Sequence, residues 1–349
     1  YMGMIKRGFC SRGSVVLFFA SALFCGQVTG QVVEKRTFMS QKPITAFDNT
    51  TFCTAYLSDG VMYTMRDIAI TELRNIDRIA FNPTGSSLAV LRPKKPIAIF
   101  SFRERNKKLF ELKDKRKGLK EKPLMLAMCY GSDARTFIAS NSLGEIIVYD
   151  TKAYLPQAYI KCSAPATALA LSSNNYFIAS AVGKNIVIWN FQTKEQRTSI
   201  PMPATVKEVA FSTLLAATTD DNRLTIIDTK NWEKVDIFDK LGGKLTSPSF
   251  HPEGKYVSVV RDNKDIVIVN LKNSVVEQEL SEAQPGVVGT RFFKSNQNSE
   301  VFLLSNRPYK MVFWDANGLN PFYGKIMSKE VDAKMNEWVK MMQGESMED

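Results

Sequence analysis

The stretch NIVIWNFQTKEQ, residues 185–196, decides the fold. Four apolar residues in a row end at Asn190, and a polar run follows. An apolar run of this length between turn residues is typical of a strand that is buried on both faces. The same run returns as MVFWD, which ends at Asp315. Its recurrence predicts a structural repeat and not an isolated site.

Five such runs recur at intervals that suit one small sheet per repeat. They are EIIVYD, NIVIWN, LTIID, DIVIVN and MVFWD, which end at Asp150, Asn190, Asp228, Asn270 and Asp315, at intervals of 40, 38, 42 and 45 residues. Two apolar segments precede each run, and a more charged segment follows most of them. Four strands of about five residues with tight turns fill such an interval. The charged fourth segment suits an outer edge strand, where charge discourages pairing with other sheets.

These repeats resemble those of the WD40 family of β-propellers over about 275 residues. FNPTGSSLAVL (81–91) and FHPEGKYVSVV (250–260) are similar to the family's Phe-x-Pro-x-Gly turn, and Trp189-Asn190 and Trp314-Asp315 are similar to its Trp-Asp ending. The family's Gly-His dipeptide is absent from this sequence. The Asp–His hydrogen-bond network that braces many such blades therefore cannot form here.

The resemblance implies an all-β fold, a β-propeller over residues 44–320 with seven four-stranded blades, six being the alternative. Two less regular repeats, at about 44–75 and 71–122, complete that count. Closing the ring hides strand edges, so we expect the terminal segments to share a blade. The structural blade positions that the resemblance implies are Asp150, Trp189, Asn190, Asp228, Asn270, Trp314 and Asp315, with Trp189 packed between adjacent sheets.

The first thirty residues carry the pattern of a secretory signal peptide. Lys6, Arg7 and Arg12 precede the apolar run VVLFFASALF at 15–24. That run is shorter than the ~20 residues that a membrane-spanning helix needs. We therefore expect residues 1–30 to be a signal peptide.

Cleavage of this segment is expected between Gly30 and Gln31, where small residues precede the cut. The prediction is then an exported protein, periplasmic or secreted, with residues 31–43 as an N-terminal linker. Lipid attachment at Cys25 is the less favoured alternative, because bulky Phe24 stands where such a site needs a small residue.

The sequence holds few residues suited to catalysis or metal binding. Its one histidine, His251, stands beside a proline and is predicted to be a turn or surface residue. Cys53, Cys129 and Cys162 include no CxxC pair and are predicted to be free, small, buried residues. The motifs GxxxxGK[ST], HExxH and GxSxG do not occur. We therefore predict no catalytic residue, cofactor or metal site, and a protein that is not an enzyme.

The segment RERNKKLFELKDKRKGLKEK, residues 103–122, interrupts the repeat pattern. Its ten basic and four acidic residues give a charge of +6, whereas the whole chain without residues 1–30 has 43 basic and 35 acidic residues, or +8. This pattern predicts either a solvated, lysine-rich edge or an exposed patch that binds an anionic partner. The predicted partner-binding residues are Arg103, Arg105, Lys107, Lys108, Lys113, Lys115, Arg116 and Lys117.

An acidic protein is the partner that we expect for this patch, with a polysaccharide or an anionic membrane surface as alternatives. Nucleic acid is disfavoured because the chain is predicted to be exported. The segment also offers only Phe110 as an aromatic side chain for base stacking.

The tail, residues 321–349, departs from the propeller pattern. Val331, Met335 and Trp338 recur at helical spacing, and Ser328 is a suitable N-cap. The sequence predicts a C-terminal α-helix that either docks on the propeller or leads to a further domain.

These features favour a non-catalytic protein–protein interaction scaffold of the cell envelope, which binds its partner through a face or the rim of the propeller. The alternative is a propeller enzyme, a hydrolase or lyase acting on glycans or peptides, with loop carboxylates gathered at the central channel. A cluster of three or more acidic or arginine side chains around the channel mouth would favour the enzyme, and an apolar mouth would contradict it.

Overall fold

Seven antiparallel sheets make up the part of the chain that the structure describes. A computed structural model describes residues 32–40, 42–50, 54–64, 74–101, 107–281, 284–295 and 299–319. Residues Val32–Asn317 form one unit by their internal contacts. The predicted signal peptide (1–30) and C-terminal helix (321–349) lie outside the described residues.

The first three blades follow one another along the chain in up-and-down order. Blade 1 has three described strands, β2 (Ile44–Asn49), β3 (Thr54–Ser58) and β4 (Val61–Thr64). Blade 2 contains β5 (Arg78–Phe81), β6 (Ser87–Leu91), β7 (Ala98–Ser101) and β8 (Lys108–Glu111). Blade 3 contains β9 (Met125–Tyr130), β10 (Thr136–Asn141), β11 (Glu145–Asp150) and β12 (Pro156–Lys161).

The remaining blades keep the same order of strands. Blade 4 contains β13 (Ala168–Leu171), β14 (Phe177–Val182), β15 (Asn185–Asn190) and β16 (Gln196–Pro201). Blade 5 contains β17 (Val206–Phe211), β18 (Leu214–Thr219), β19 (Leu224–Asp228) and β20 (Lys234–Phe238). Blade 6 contains β21 (Leu245–Phe250), β22 (Tyr256–Arg261), β23 (Asp265–Asn270) and β24 (Val275–Leu280). Blade 7 joins β25 (Thr290–Lys294), β26 (Val301–Arg307) and β27 (Lys310–Asp315) to β1 (Val33–Met39), and a short 3-10 turn follows at Asn317–Leu319. The prediction of an all-β, seven-bladed propeller is therefore confirmed.

The core lies between the blades and not within any one sheet. In β15, the run Ile186-Val187-Ile188-Trp189 is buried throughout because neighbouring sheets cover both of its faces. Strands covered on both sides lose the alternation of polar and apolar residues. The next strand outward, β16, is largely exposed, and only Ile200 in it is buried. This contrast explains why the third strand of each repeat was the clearest signal in the sequence.

Trp189 joins blade 4 to blade 3. Its ring shares a buried cluster with Ile138, and its indole N–H donates a hydrogen bond to Ser180 Oγ at 2.9 Å. Trp314 repeats this bond in blade 7, where it donates to Ser305 Oγ at 2.7 Å. Trp189 therefore packs between adjacent sheets, as the repeat predicted.

In blades 3 to 7, an Asp or Asn ends the third strand and fixes the backbone that follows it, which in blades 3 to 6 is the turn to the fourth strand. Its Oδ1 atom accepts a hydrogen bond from the backbone N–H two residues further on, which is a turn typical of these side chains. The pairs are Asp150 with Lys152 (3.0 Å), Asn190 with Gln192 (2.9 Å), Asp228 with Lys230 (2.8 Å), Asn270 with Lys272 (3.0 Å) and Asp315 with Asn317 (2.9 Å). All five residues occupy the positions that the repeat predicted.

The chain closes the ring with its first described strand. β1 pairs with β27 from Val33 opposite Asp315 to Met39 opposite Lys310. Just before it, the Val32 backbone N–H donates to Gln278 Oε1 of blade 6 at 2.7 Å, and Gln278 Nε2 donates back to the Val32 carbonyl at 3.0 Å. The terminal segments thus share blade 7.

The prediction that residues 31–43 form a linker is wrong for this reason. The stretch VEKRTFM of β1 is mostly exposed, and its polar composition resembles that of a connecting segment. An outermost strand needs few apolar residues, because only its inner face and its pairing edge meet the protein. The propeller therefore includes Val33 and does not start at residue 44.

His251 lies in the predicted turn but is not a surface residue, which corrects the second part of that prediction. Only 1% of it is exposed, because its ring packs edge to face on Tyr256 and Phe292. Its Nδ1 atom accepts a hydrogen bond from the Glu253 N–H at 3.2 Å. Burial lowers the pKa of His251 from 6.5 to about 4.

The bond between Trp189 and Ser180 can be tested by a double-mutant cycle. We expect Trp189→Phe and Ser180→Ala each to lower the free energy of unfolding by about 2 kcal/mol, because one removes buried ring volume and the other leaves the indole N–H unpaired. The double variant should lose less than the sum, since both changes break the same bond. Urea denaturation of the four proteins measures these values. Strictly additive losses would contradict the bond.

Acid should destabilise the propeller through His251. In the unfolded chain the imidazole binds a proton below its ordinary pKa of 6.5, whereas the buried imidazole in the folded protein does so only below about 4. The free energy of unfolding is therefore not reduced by His251 above pH 6.5. It decreases as the pH falls from 6.5 to about 4, and the total loss below both pKa values is about 3 kcal/mol.

His251→Asn is the matched variant, because the chain uses asparagine in the same turn of blade 2. There, Asn82 Oδ1 accepts a hydrogen bond from the Thr84 N–H at 3.0 Å. The variant keeps an acceptor but cannot titrate, so its unfolding free energy should depend less on pH between 6.5 and 4 than that of the wild type. Denaturation curves at several pH values provide the measurement, and parallel pH profiles would refute the assignment.

Candidate functional site

The predicted basic segment divides between the two ends of blade 2. Lys107 and Lys108 lie at the start of β8, whereas Lys113 and the residues after it follow the end of that strand. β8 has four residues, so the two groups are separated by roughly 13 Å. Arg103 and Arg105 lie outside the described residues. The structure therefore does not bring the six described residues of this prediction together as one patch.

The loop that follows β8 lies beside another basic turn. Ala98, at the start of β7, pairs with Glu111 at the end of β8. Leu112 extends that pairing, because its N–H donates to the Ile97 carbonyl at 2.8 Å. The turn at residues 92–96, which reads RPKKP, therefore leaves the same end of the blade as the loop after β8.

The chain also enters blade 2 at this end. Arg78 is the first residue of β5 and pairs with Leu91 at the end of β6. The Asp77 N–H donates to the Leu91 carbonyl at 2.9 Å. The segment 74–77, which leads into β5, therefore lies beside the RPKKP turn. Three segments that are distant in sequence thus meet at one end of a single sheet.

We name their cationic side chains the blade 2 basic surface. It consists of Arg74, Arg78, Arg92, Lys94, Lys95, Lys113, Lys115, Lys117, Lys120 and Lys122. Among the described residues, only two of these cations form ion pairs, Lys113 with Glu111 at 2.9 Å and Arg78 with Asp77 at 3.7 Å. The sequence scan found the lysines after β8, but it missed the other two segments because only the strand register brings them together.

Arg116 fastens the loop after β8 to blade 3. Its guanidinium donates to both carboxylate oxygens of Glu145, at 3.0 and 2.8 Å, and to Asp114 at 2.5 Å. It also lies over the ring of Tyr159, 4.3 Å from the ring centre. Hydrogen bonds from Arg116 lower the pKa of both carboxyl groups. Arg116 is therefore saturated by its own chain and differs from the lysines around it.

Two apolar side chains accompany the lysines. Leu119 is 37% exposed and Leu124 is 43% exposed, and both belong to the same loop. Pro93 is exposed in the neighbouring RPKKP turn. The surface thus combines positive charge with apolar contact area. Protein interfaces show the same combination, with a polar rim around an apolar centre.

A second group of charged residues lies in the central channel. A cavity of about 490 Å³ is lined by the innermost strands of six blades, and a groove along blades 5 to 7 shares Val209, Arg291 and Phe292 with it. Asp48 of β2 and Arg291 of β25 form an ion pair between the neighbouring blades 1 and 7, with Oδ1 and Nη1 2.8 Å apart. Glu208 of β17 lines the groove.

Both channel carboxylates brace adjacent blades. Asp48 Oδ2 accepts a hydrogen bond from the Phe81 N–H of blade 2 at 2.7 Å, and Glu208 Oε2 accepts one from the Ser247 N–H of blade 6 at 2.8 Å. The innermost strand of a blade has no further strand on its channel side. The backbone N–H groups on that side therefore need side-chain acceptors from a neighbouring blade. Burial raises the pKa of both carboxyl groups, and for Asp48 the charge of Arg291 opposes this shift.

Sequence reasoning missed these three residues, because it looked for carboxylates in loops. They stand inside strand segments of blades 1, 5 and 7 that are far apart in the sequence. The available signal was a charged residue within an otherwise apolar inner strand, as in ITAFDN, VKEVAF and TRFFK.

The cysteines do not form a reactive site in the described part of the chain. Cys129 is partly buried and Cys162 is buried, and both are free thiols. Burial raises the pKa of Cys162 to about 11, which keeps it protonated and weakly nucleophilic. Cys53 lies outside the described residues.

The described ranges contain neither a metal-binding cluster nor a membrane-spanning helix. No three His, Cys, Asp or Glu side chains there are grouped closely enough to hold a metal ion. Within the same ranges, no helix has the length and hydrophobicity to span a bilayer.

No protein-family model matches the chain, and no curated protein matches its sequence. The seven-bladed fold is consistent with the resemblance to WD40-like propellers.

Proposed function

We propose that this protein is a non-catalytic interaction scaffold of the cell envelope and a divergent WD40-like propeller, which binds an acidic partner protein through the blade 2 basic surface. The observation that carries this proposal is the meeting of three basic segments at one end of one blade. The signal-peptide pattern of residues 1–30 supports export to the periplasm or beyond the cell.

The fold suits this role because its stability and its binding surface use different residues. Propellers commonly serve as scaffolds for protein interactions, and blade 2 follows that division. Its strands are held by buried residues such as Leu88 and Ile99, whereas the lysines stand on connections outside the sheet and have exposed side chains. Binding residues are commonly found on such loops above a rigid framework.

An acidic protein fits this surface better than a membrane does. Leu119, Leu124 and Pro93 lie among the lysines and offer contact area of the kind that protein partners bury. Apolar residues of this number are too few to anchor a protein in a bilayer, and anionic lipids would attract the lysines alone. Electrostatic attraction would then speed association and weaken with salt.

Arg116 supports binding indirectly in this proposal. A loop that is held before its partner arrives loses less conformational freedom on binding. The bonds to Asp114 and Glu145 supply that restraint and leave the lysines free.

The enzyme alternative draws support from the channel residues Asp48, Glu208 and Arg291. They number three, but they stand on inner strands and do not line one cavity together, whereas the expectation was a cluster of loop side chains at the channel mouth. We favour bracing as the role of both carboxylates, since each already accepts a backbone N–H of the next blade. Turnover of peptidoglycan fragments or peptides by the purified protein, abolished in Asp48→Asn, would favour the enzyme instead.

Neutralising four unpaired lysines should weaken the binding of an acidic probe. We expect the variant with Lys115, Lys117, Lys120 and Lys122 all changed to Gln to bind an immobilised polyglutamate peptide about ten-fold more weakly, which is roughly 1.4 kcal/mol. The matched control changes Lys152, Lys184, Lys230 and Lys272, which are exposed on other blades, and so alters the net charge equally. Biolayer interferometry at two salt concentrations measures the affinity of both variants for the peptide.

The two variants distinguish a local surface from general attraction. Equal losses in both would mean that net charge alone drives binding, which contradicts the proposal. If the wild type bound phosphatidylglycerol vesicles more strongly than polyglutamate, the partner would be an anionic membrane and not an acidic protein.

Arg116→Gln should loosen the loop without unfolding the propeller. We expect faster cleavage by a lysine-specific protease within 113–122 and several-fold weaker polyglutamate binding, because the loop loses both carboxylate partners. The cost in global stability should be about 1 kcal/mol or less, since the side chain is one-third exposed. Arg135→Gln, an exposed arginine of blade 3, is the control. Unchanged cleavage in Arg116→Gln would show that the ion pairs do not hold the loop.

A further inference from the structure

Two large apolar side chains lie exposed at one end of blade 7. Tyr309 is 48% exposed and belongs to the turn between β26 and β27, and Met39 is 59% exposed and ends the outer strand β1. The two residues are neighbours, because Met39 pairs with Lys310 and the Ser40 N–H donates to the Tyr309 carbonyl at 2.7 Å. Single exposed apolar residues are common on protein surfaces, whereas contiguous apolar surface marks interaction sites.

Backbone contacts join this end of blade 7 to blade 1. The Ile44 N–H, at the start of β2, donates to the Pro308 carbonyl of the same turn at 2.7 Å. Ile44 also pairs with Ser58 at the end of β3. The turn of blade 1 at Asp59 and Gly60 therefore leaves its sheet beside the apolar pair of blade 7.

The turn of blade 1 also touches the chain that enters blade 2. The Gly60 carbonyl accepts a hydrogen bond from the Ile76 N–H at 3.5 Å. A Cβ atom at Gly60 would lie only 3.0 Å from the Asn75 backbone N, so the two segments are in direct contact. Since residues 74–77 lie beside the RPKKP turn, these ends of blades 7, 1 and 2 form one continuous surface.

The chemical character of this surface changes from blade to blade. Blade 7 contributes the apolar pair Tyr309 and Met39, and blade 2 contributes its lysines. Between them, Lys42 forms an ion pair with Asp59 of blade 1, so their charges offset each other. Protein interfaces commonly combine an apolar centre, in which tyrosine is enriched, with polar and charged residues at the rim. The surface therefore suits a partner that carries apolar and acidic groups at different positions.

From this continuity we infer that the acidic partner also contacts blade 7, where an aromatic side chain of the partner packs on Tyr309 and Met39 while its carboxylates bind the blade 2 basic surface. The inference rests on the proposed function and adds the second chemical group that the partner carries. Aromatic rings pack favourably on tyrosine, and the flexible thioether of methionine adapts to an aromatic surface. Charge alone would attract many acidic proteins to blade 2, so the apolar contact selects among them.

Two peptides separate the apolar contact from the electrostatic one. Both carry the same polyglutamate segment and a flexible glycine–serine spacer, and one ends in tryptophan where the other ends in glycine. We expect the tryptophan peptide to bind the wild-type protein about ten-fold more tightly, because the spacer lets both groups bind at the same time. Biolayer interferometry measures the affinity of each peptide.

Tyr309→Ser combined with Met39→Thr should remove this gain and leave the affinity for the glycine peptide unchanged. Both side chains are exposed, so the variant should keep the melting temperature of the wild type. The matched control is Tyr176→Ser combined with Leu155→Thr, which removes one exposed tyrosine and one exposed aliphatic residue from blades 4 and 3. This control should keep the full gain from tryptophan.

Photo-crosslinking locates the aromatic group of the peptide directly. With benzoylphenylalanine in place of the tryptophan, we expect mass spectrometry to find the label on Met39 or in the turn that contains Tyr309. A label confined to other blades would contradict the inference.

The affinities also distinguish this inference from the proposed function. If the glycine peptide depends on the four lysines of blade 2 but tryptophan adds nothing, or its gain survives in the Tyr309→Ser and Met39→Thr variant, the inference alone is overturned. If neither peptide binds the wild type, or if the four-lysine variant binds the glycine peptide as tightly as the wild type does, the proposed function fails and the inference fails with it.

Discussion

Every sheet of this protein depends on its neighbours to cover both of its faces. Third strands such as β15 are apolar throughout, and a blade on its own could bury neither side. Each large apolar side chain left in water forfeits about 1.5–3 kcal/mol, so only the complete ring is stable. The closing strand β1 therefore supports the whole core through its pairing with β27, although its own side chains are mostly exposed.

Closing the ring covers the faces of every blade but leaves each innermost strand without a neighbouring strand on the channel side. Asp48 and Glu208 satisfy backbone N–H groups there, and Ser249 does the same for Phe292 with a neutral hydroxyl at 2.9 Å. A buried carboxylate is a stronger acceptor than a hydroxyl, but its desolvation is costly. Placing Arg291 against Asp48 offsets part of that cost and also leaves a guanidinium in the channel.

The parts of the fold that the sequence predicts well are those set by burial. NIVIWN and its companions had to be strands because four consecutive apolar residues need cover on both faces, and Trp189 was found between sheets for that reason. Polar segments were predicted poorly, since the stretch VEKRTFM is an outer strand that has the composition of a linker. His251 was misplaced because a turn with Pro and Gly is usually exposed, whereas the next blade covers this one with Phe292.

The blade 2 basic surface shows why charge is harder to locate from sequence than burial. Neighbouring strands lie about 4.8 Å apart, which is less than the Debye length of about 8 Å at physiological salt. Charges on connections that leave adjacent strands at the same end of the sheet therefore reinforce each other, even when they are distant in the sequence. Lys107 and Lys108 are close to Lys113 in the sequence, but a strand of four residues separates them by roughly 13 Å, a distance over which dissolved salt screens their charges. Strand register, and not the run of lysines itself, decides which charges a partner meets together.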